Sequence, residues 1–263
     1  MPTPEGAPLE LVRPLVQQAC GSAGGLCVLT GAGMSAESGI PTFRDALTGH
    51  WARFDPMQLA SEEGFRADPA RVWNWYAERR NGVRRAEPNA AHRALGDFAA
   101  RHPGVLTVIT QNVDDLHQRA GNLDTLRLHG DILQDRWLEP CPRGARGPAC
   151  EPGWALEGEP PRCGECGNPL RPGVVWFGES LPLAAMNAAE RAVDGCRLLL
   201  VVGTSGAVWP AAGLAHRARR HGAQVVIINP EASEIDDQAQ YLLRGTAAQV
   251  LPALLDTTSP ENG

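Results

Sequence analysis

Four short apolar runs constrain this chain more than any other feature. They lie at 25–30, 105–110, 197–202 and 224–229, each continuous and most of them rich in β-branched residues. Such runs mark strands covered on both faces, as in a parallel sheet. Each ends in small or polar residues: Gly31-Ala32-Gly33, Gln111-Asn112, Gly203-Thr204-Ser205 and Asn229-Pro230. In an open doubly wound sheet, ligands sit outside those carboxyl ends. Helical patterns fill the intervals at 90–101, 183–194 and 211–221, the last stopped by Gly222. The pattern predicts an α/β fold, a Rossmann-like doubly wound parallel sheet.

Two stretches do not fit the sheet. Residues 46–89 carry an aromatic-rich helix at 72–85, flanked by Asp68-Pro69 and Glu87-Pro88-Asn89, and 137–172 are rich in Pro, Gly and Cys. A segment so poor in apolar side chains cannot order itself by burial, so it is a loop or is held by metal. The expected organisation is a discontinuous dinucleotide-binding domain at 10–45, 90–136 and 173–255. A smaller domain, part helical and part Cys-rich module, occupies 46–89 and 137–172, and 256–263 is a tail.

The net charge of -6 advertises no face for nucleic acid or anionic membrane, and no run approaches a membrane span. The N-terminus shows no positive region followed by an apolar one. Seven cysteines, two in a CxxC, suggest thiols and metal binding rather than a disulfide scaffold. A cytoplasmic protein is expected.

The segment TGAGMSAESGIPTFRD follows the first strand, and Gly31-x-Gly33-x-x-Ala36 matches the turn in which backbone approaches a pyrophosphate. The same pattern serves as a plain tight strand-to-helix turn. A dehydrogenase would show a second strand ending in Asp or Glu about 20 residues on. Here 39–45 run instead into a loop with His50 and Trp51, which turns the reading away from hydride transfer.

These residues resemble the sirtuin family. GAGMSAESGIPTFRD, TQNVDDLHQRAG, LHGD, VVWFGE, VVGTS, Asn229 and Gly245-Thr246-Ala247 stand in the family's order over nearly the whole chain. The resemblance implies NAD as a consumed co-substrate. An acyl-lysine oxygen attacks C1′ of the nicotinamide ribose, nicotinamide leaves, and the acyl group departs as O-acyl-ADP-ribose. His129 of Leu128-His129-Gly130-Asp131 aligns with the catalytic base, a role suited to imidazole; by its own context it stands no higher than His117. The resemblance assigns Gly31, Ala32, Gly33, Met34, Ser35, Ala36 and Gly39 to NAD. It adds Gln111, Asn112, Val113 and Asp114, where helix capping by Asn112 or Asp114 is the plain alternative, then Gly203, Thr204, Ser205, Asn229 and Ala247. Phe43 and Arg44 are expected over the nicotinamide pocket, excluding water.

Val174, Val175, Trp176 and Phe177 resemble the family's substrate-binding segment, where an acylated-lysine peptide adds edge to edge; a core strand is the alternative. Tyr76 and Arg79 share a helical face. In the branch that removes succinyl and malonyl groups, a Tyr-x-x-Arg pair grips the distal carboxylate, a task suited to guanidinium. Arg80 is also one turn from Tyr76, so spacing leaves both arginines open, and the resemblance selects Arg79. Desuccinylase and demalonylase activity with weaker deacetylation follows. Mono-ADP-ribosyl transfer and an idle NAD-binding sensor are the alternatives.

Family members carry two cysteine pairs on a structural zinc. Cys163-Gly164-Glu165-Cys166 supplies one. Where the other should stand the chain reads Arg136-Trp137-Leu138-Glu139-Pro140-Cys141, with Trp137 at the first ligand position. Cys141, Cys150, Cys163 and Cys166 form one candidate zinc set; a lost site packed around Trp137 and Trp154 is the other reading. Cys20, Cys27 and Cys196 read as packing thiols. Substrate proteins and oligomeric state are not encoded in any motif.

Overall fold

The computed structural model describes residues 8–42, 55–140 and 157–256. In chain order it begins with α1 (Leu9–Ala19), β1 (Leu26–Thr30), α2 (Gly33–Ala36), α3 (Pro56–Leu59), α4 (Glu62–Ala67) and α5 (Pro69–Arg85). There follow α6 (Ala90–Arg101), β2 (Leu106–Thr110), α7 (Leu116–Arg119), β3 (Leu126–Arg127), β4 (Gly130–Trp137) and β5 (Leu170–Val174). The chain closes with α8 (Leu183–Gly195), β6 (Leu198–Val202), α9 (Gly213–Arg220), β7 (Gln224–Ile228), β8 (Tyr241–Leu243) and α10 (Ala247–Leu255).

Contacts divide the chain into two compact units, 1–42 with 86–128 and 181–263, and 43–85 with 129–180. The first holds a parallel sheet of six strands in the order β3-β2-β1-β6-β7-β8. Chain direction across the sheet reverses between β1 and β6, the switch point at which α/β proteins bind ligands. Alternation along each strand builds two cores. Leu26, Val28, Leu200, Val202, Val226 and Ile228 meet α1, α6 and α10 on one face. Cys27, Leu29, Leu199, Val201, Val225 and Ile227 meet α8 and α9 on the other. Both faces are covered, which is why these strands read as unbroken apolar runs.

Asn89 starts α6. Its Oδ1 accepts from the amides of Ala91 at 2.9 Å and His92 at 3.3 Å, while its Nδ2 donates to the Met34 carbonyl at 2.9 Å. One cap thus ties the helix to the loop after β1.

In the second unit, β4 and β5 pair antiparallel with an irregularity between Asp131 and Asp135. Residues 129–136 and 173–180, grouped with the parallel sheet in the sequence reading, therefore belong to this unit: β4 bonds to β5 and joins no other strand. The helix expected at 72–85 starts earlier, because Pro69 suits a first helical position and Asp68 Oδ1 accepts from the Arg71 amide at 3.0 Å. Among the described residues no helix is long and apolar enough to cross a membrane.

Candidate active site

The loop after β1 lies against the loop after β6. Gly31 N–H donates to Val202 O at 2.9 Å and Gly33 N–H to Gly203 O at 2.8 Å. A Cβ on Gly33 would stand 2.7 Å from the Gly203 Cα, closer than real Cβ contacts come. The glycines let two strand ends meet backbone to backbone at the switch point. The helix that follows, α2, is a single turn, so its macrodipole offers an anion little. Gly39 has φ +79°, a backbone glycine adopts freely.

Side chains from β1, β2 and their loops converge beside it. Ser35 Oγ–H donates to Asp114 Oδ2 at 2.9 Å, and Asn112 Nδ2 donates to Ser35 Oγ at 3.0 Å. Asp114 Oδ1 accepts from the Leu116 amide at 3.1 Å, so this carboxylate both caps α7 and holds Ser35. Arg127 donates to the carbonyls of Val113 and Asp114 at 2.9 and 2.8 Å. Burial pushes the Asp114 carboxyl above its ordinary value, against the pull of the Leu116 amide, Ser35 and Arg127. On the β6 side, Gln111 Nε2 donates to Thr204 Oγ1 at 3.2 Å and Asn229 Nδ2 to Thr204 O at 3.1 Å. The Ser205 carbonyl accepts from the Glu234 amide at 2.9 Å. Ala247 is buried in the core at the start of α10.

In the second unit, His129 stands half-buried immediately before β4, its carbonyl accepting from the Val175 amide at 2.9 Å. Gly130 turns the chain at φ +83°, where a Cβ would stand 2.2 Å from Gly173 O. Val174 and Trp176 are buried, whereas Phe177 is 47% exposed. The segment is thus core on one side and open on the other. Its donors are committed: Val175 to His129 O, Trp176 to Glu179 Oε2 at 2.8 Å, and Phe177 to Ala60 O at 2.9 Å. A peptide added along 175–177 must therefore pair with carbonyls there, which narrows the edge-to-edge expectation.

Tyr76 and Arg79 sit together on α5. The Arg79 guanidinium lies 4.8 Å from the Trp75 ring centre and 5.9 Å from that of Tyr76. Arg80 points elsewhere, donating to Ile132 O at 2.6 Å and pairing with Asp135. Spacing left both arginines open, and contacts separate them. The Tyr76 phenol is buried, which raises its pKa and keeps it protonated.

Comparison with known proteins bears on this geometry. The family model described as Sir2 family matches residues 31–210. The chain belongs to the Sir2 family. An NAD-dependent protein deacylase of Methylococcus capsulatus is 54% identical over 233 residues, 88% of this chain and 91% of that protein. Another from Ralstonia nicotianae is 51% identical over 228 residues, 87% and 89% of the two chains. A crystal structure of a Sir2 homolog–NAD complex is 38% identical with a TM-score of 0.80, covering 97% of this chain and 95% of that one.

Within this Sir2 chain, Phe43, Arg44, Cys141 and Cys150 lie outside the described residues. Of the four thiols proposed for zinc, Cys163 is buried and Cys166 exposed. Gly167 N–H closes the turn onto Cys163 O at 2.9 Å, and Asn168 clasps both backbone groups of Glu139. Trp137 ends β4 opposite Leu170. Among the described residues no group of three or more His, Cys, Asp or Glu is placed to hold a metal.

Sequence reasoning missed Arg171, whose guanidinium is 1% exposed and pairs with Glu179. It also missed the contact of His92 with His117, rings 4.9 Å apart in the first unit. No spacing rule relates positions 25 residues apart on different elements.

Proposed function

We propose that this Sir2-family chain is an NAD-consuming protein-lysine deacylase that prefers succinyl and malonyl over acetyl groups. The close deacylase relatives support NAD dependence and an acylated-lysine substrate. The buried Ser35, Asn112 and Asp114 network offers hydroxyl, amide and carboxylate groups of the kind that hold ribose hydroxyls and a carboxamide. The turn at 31–36 and the groups around Thr204 receive the phosphates and ribose, with Asn229 and Ala247 toward the adenosine. His129 takes a proton from a ribose hydroxyl, while Phe43 and Arg44 cover the nicotinamide end.

The observation that carries the acyl preference is the division of labour on α5. Arg80 is bound to Ile132 and Asp135, while Arg79 stacks over Trp75 beside Tyr76. A fixed cation next to a neutral phenol suits a carboxylate at the far end of a short acyl chain. Kinetics on matched succinyl and acetyl peptides test it. Arg79→Met should lower kcat/KM for the succinyl peptide by at least about tenfold and leave the acetyl value nearly unchanged. An unchanged succinyl-to-acetyl ratio would sink the acyl assignment.

A structural zinc on Cys141, Cys150, Cys163 and Cys166 is part of the same proposal, supported by the closed Cys163–Gly167 turn in a segment poor in core. Metal analysis of the purified protein should find about one equivalent of zinc; an essentially zinc-free folded protein would remove it.

A further inference from the structure

Trp176 lies in the second unit between two partners that fix its indole. The Arg171 guanidinium carbon stands 3.3 Å from its ring centre, and Phe65 packs at 5.3 Å between ring centres, tilted by 39°. The main chain is held as well, since the Trp176 amide donates to Glu179 Oε2, and Glu179 is gripped by Arg171 and Arg136. Trp176 is 2% exposed and Arg171 1%, so the ring has no room to turn.

Its indole Nε1–H donates to Tyr76 Oη at 3.1 Å. An indole nitrogen can only donate, so the phenol oxygen must be the acceptor. That fixes the polarity of the phenol. Its own proton points away from the indole, and among the described residues it is given to no acceptor. A neutral phenol whose proton is not spent on the indole, on the same helix face as Arg79, has the chemistry to donate to an anion.

We infer that Trp176 is a positioning residue for acyl selectivity: its indole N–H holds the Tyr76 hydroxyl as a donor to the distal carboxylate of a dicarboxylic acyl-lysine. This rests on the reading of Tyr76 and Arg79 given above. With the indole in place, the phenol oxygen has its acceptor role filled, so rotation that would turn the proton inward loses a buried hydrogen bond. Removing the N–H frees that rotation without removing the phenol.

A double-mutant cycle tests it on the full-length protein with NAD, using Trp176→Phe, Tyr76→Phe and their combination. Succinyl and acetyl peptides of one sequence are compared. Trp176→Phe keeps an aromatic ring on Arg171 and loses the N–H. It should cut the succinyl-to-acetyl ratio of kcat/KM by about threefold to tenfold, mostly through the succinyl KM. In the Tyr76→Phe background the same change should leave the ratio where Tyr76→Phe put it. Equal effects in both backgrounds would overturn the inference, because the indole would then act without the phenol. So would a Trp176→Phe variant that loses both activities in proportion, the mark of a purely structural ring. A wild-type protein with no succinyl preference would overturn the reading of Tyr76 and Arg79 and this inference with it; a wild-type preference that Trp176→Phe leaves intact overturns this inference alone.

Discussion

Ser35 Oγ–H donates a hydrogen bond to Asp114 across 2.9 Å while its oxygen accepts from Asn112, so three buried polar side chains act as one unit. Burial raises the Asp114 carboxyl above its ordinary value, so the ionised form is a net cost to the fold at neutral pH. Its stabilising contribution is complete below the unfolded carboxylate value and is lost as pH rises through the folded one. A group kept at such a cost points to function.

Asp114→Asn should therefore separate stability from activity. The amide oxygen can still accept from Leu116, so thermal stability at pH 7 should equal or exceed that of the wild type. The kcat/KM with NAD should fall by about tenfold to a hundredfold. A variant that melts lower but turns over normally would make Asp114 a helix cap and nothing more.

Arg171 and Glu179 make a contrasting pair. Burial alone would raise the Glu179 carboxyl; the hydrogen bond from Arg171, the Trp176 amide and the charges of Arg171 and Arg136 hold it below its ordinary value instead. Glu179→Gln leaves the Arg171 guanidinium buried without its counter-charge and should cost about 3 kcal/mol in urea denaturation. Arg136 is 48% exposed, so Arg136→Met should cost below about 1 kcal/mol. Equal losses would mean that burial is not what makes the ion pair matter.

His92 and His117 make the fold acid-sensitive. Burial lowers them from 6.5 to about 4 and about 3, so on acidification the unfolded chain takes up these protons first. The stability they contribute is complete above pH 6.5 and is lost as the pH falls toward those values. Between pH 7.5 and 5 each histidine should remove roughly 2 kcal/mol of unfolding free energy. Urea titrations at the two pH values should show this fall in the wild type and a smaller one in His92→Met. An equal fall in both would place the acid sensitivity elsewhere.

Much of the first unit was readable because its chemistry is local. The four runs are strands because both faces of the sheet are covered, and Leu26, Val28 and Cys27, Leu29 sort to opposite cores by simple alternation. β3, only two residues long, and β8, only three, carry no period to read. The Pro14 within α1 weakens its helical pattern, although the helix still forms around Val12 and Val16. The pairing of β4 with β5 was not readable, since an antiparallel pair closed across residues 138–169 depends on long-range partners. The choice between Arg79 and Arg80 likewise lay with Ile132 and Asp135, distant in sequence. Ser35 and Asp114 were named by motif, but their bond to each other belongs to the folded sheet.

The most direct test of the account is turnover of one lysine peptide, succinylated or acetylated, by the wild-type protein with and without NAD. Mass spectrometry and nicotinamide release are read together. The account predicts one nicotinamide per acyl group removed, transfer of that group to ADP-ribose, no reaction without NAD, and a higher kcat/KM for the succinyl peptide. Acyl removal without NAD, ADP-ribose attached to the peptide, or a higher kcat/KM for the acetyl peptide would contradict it.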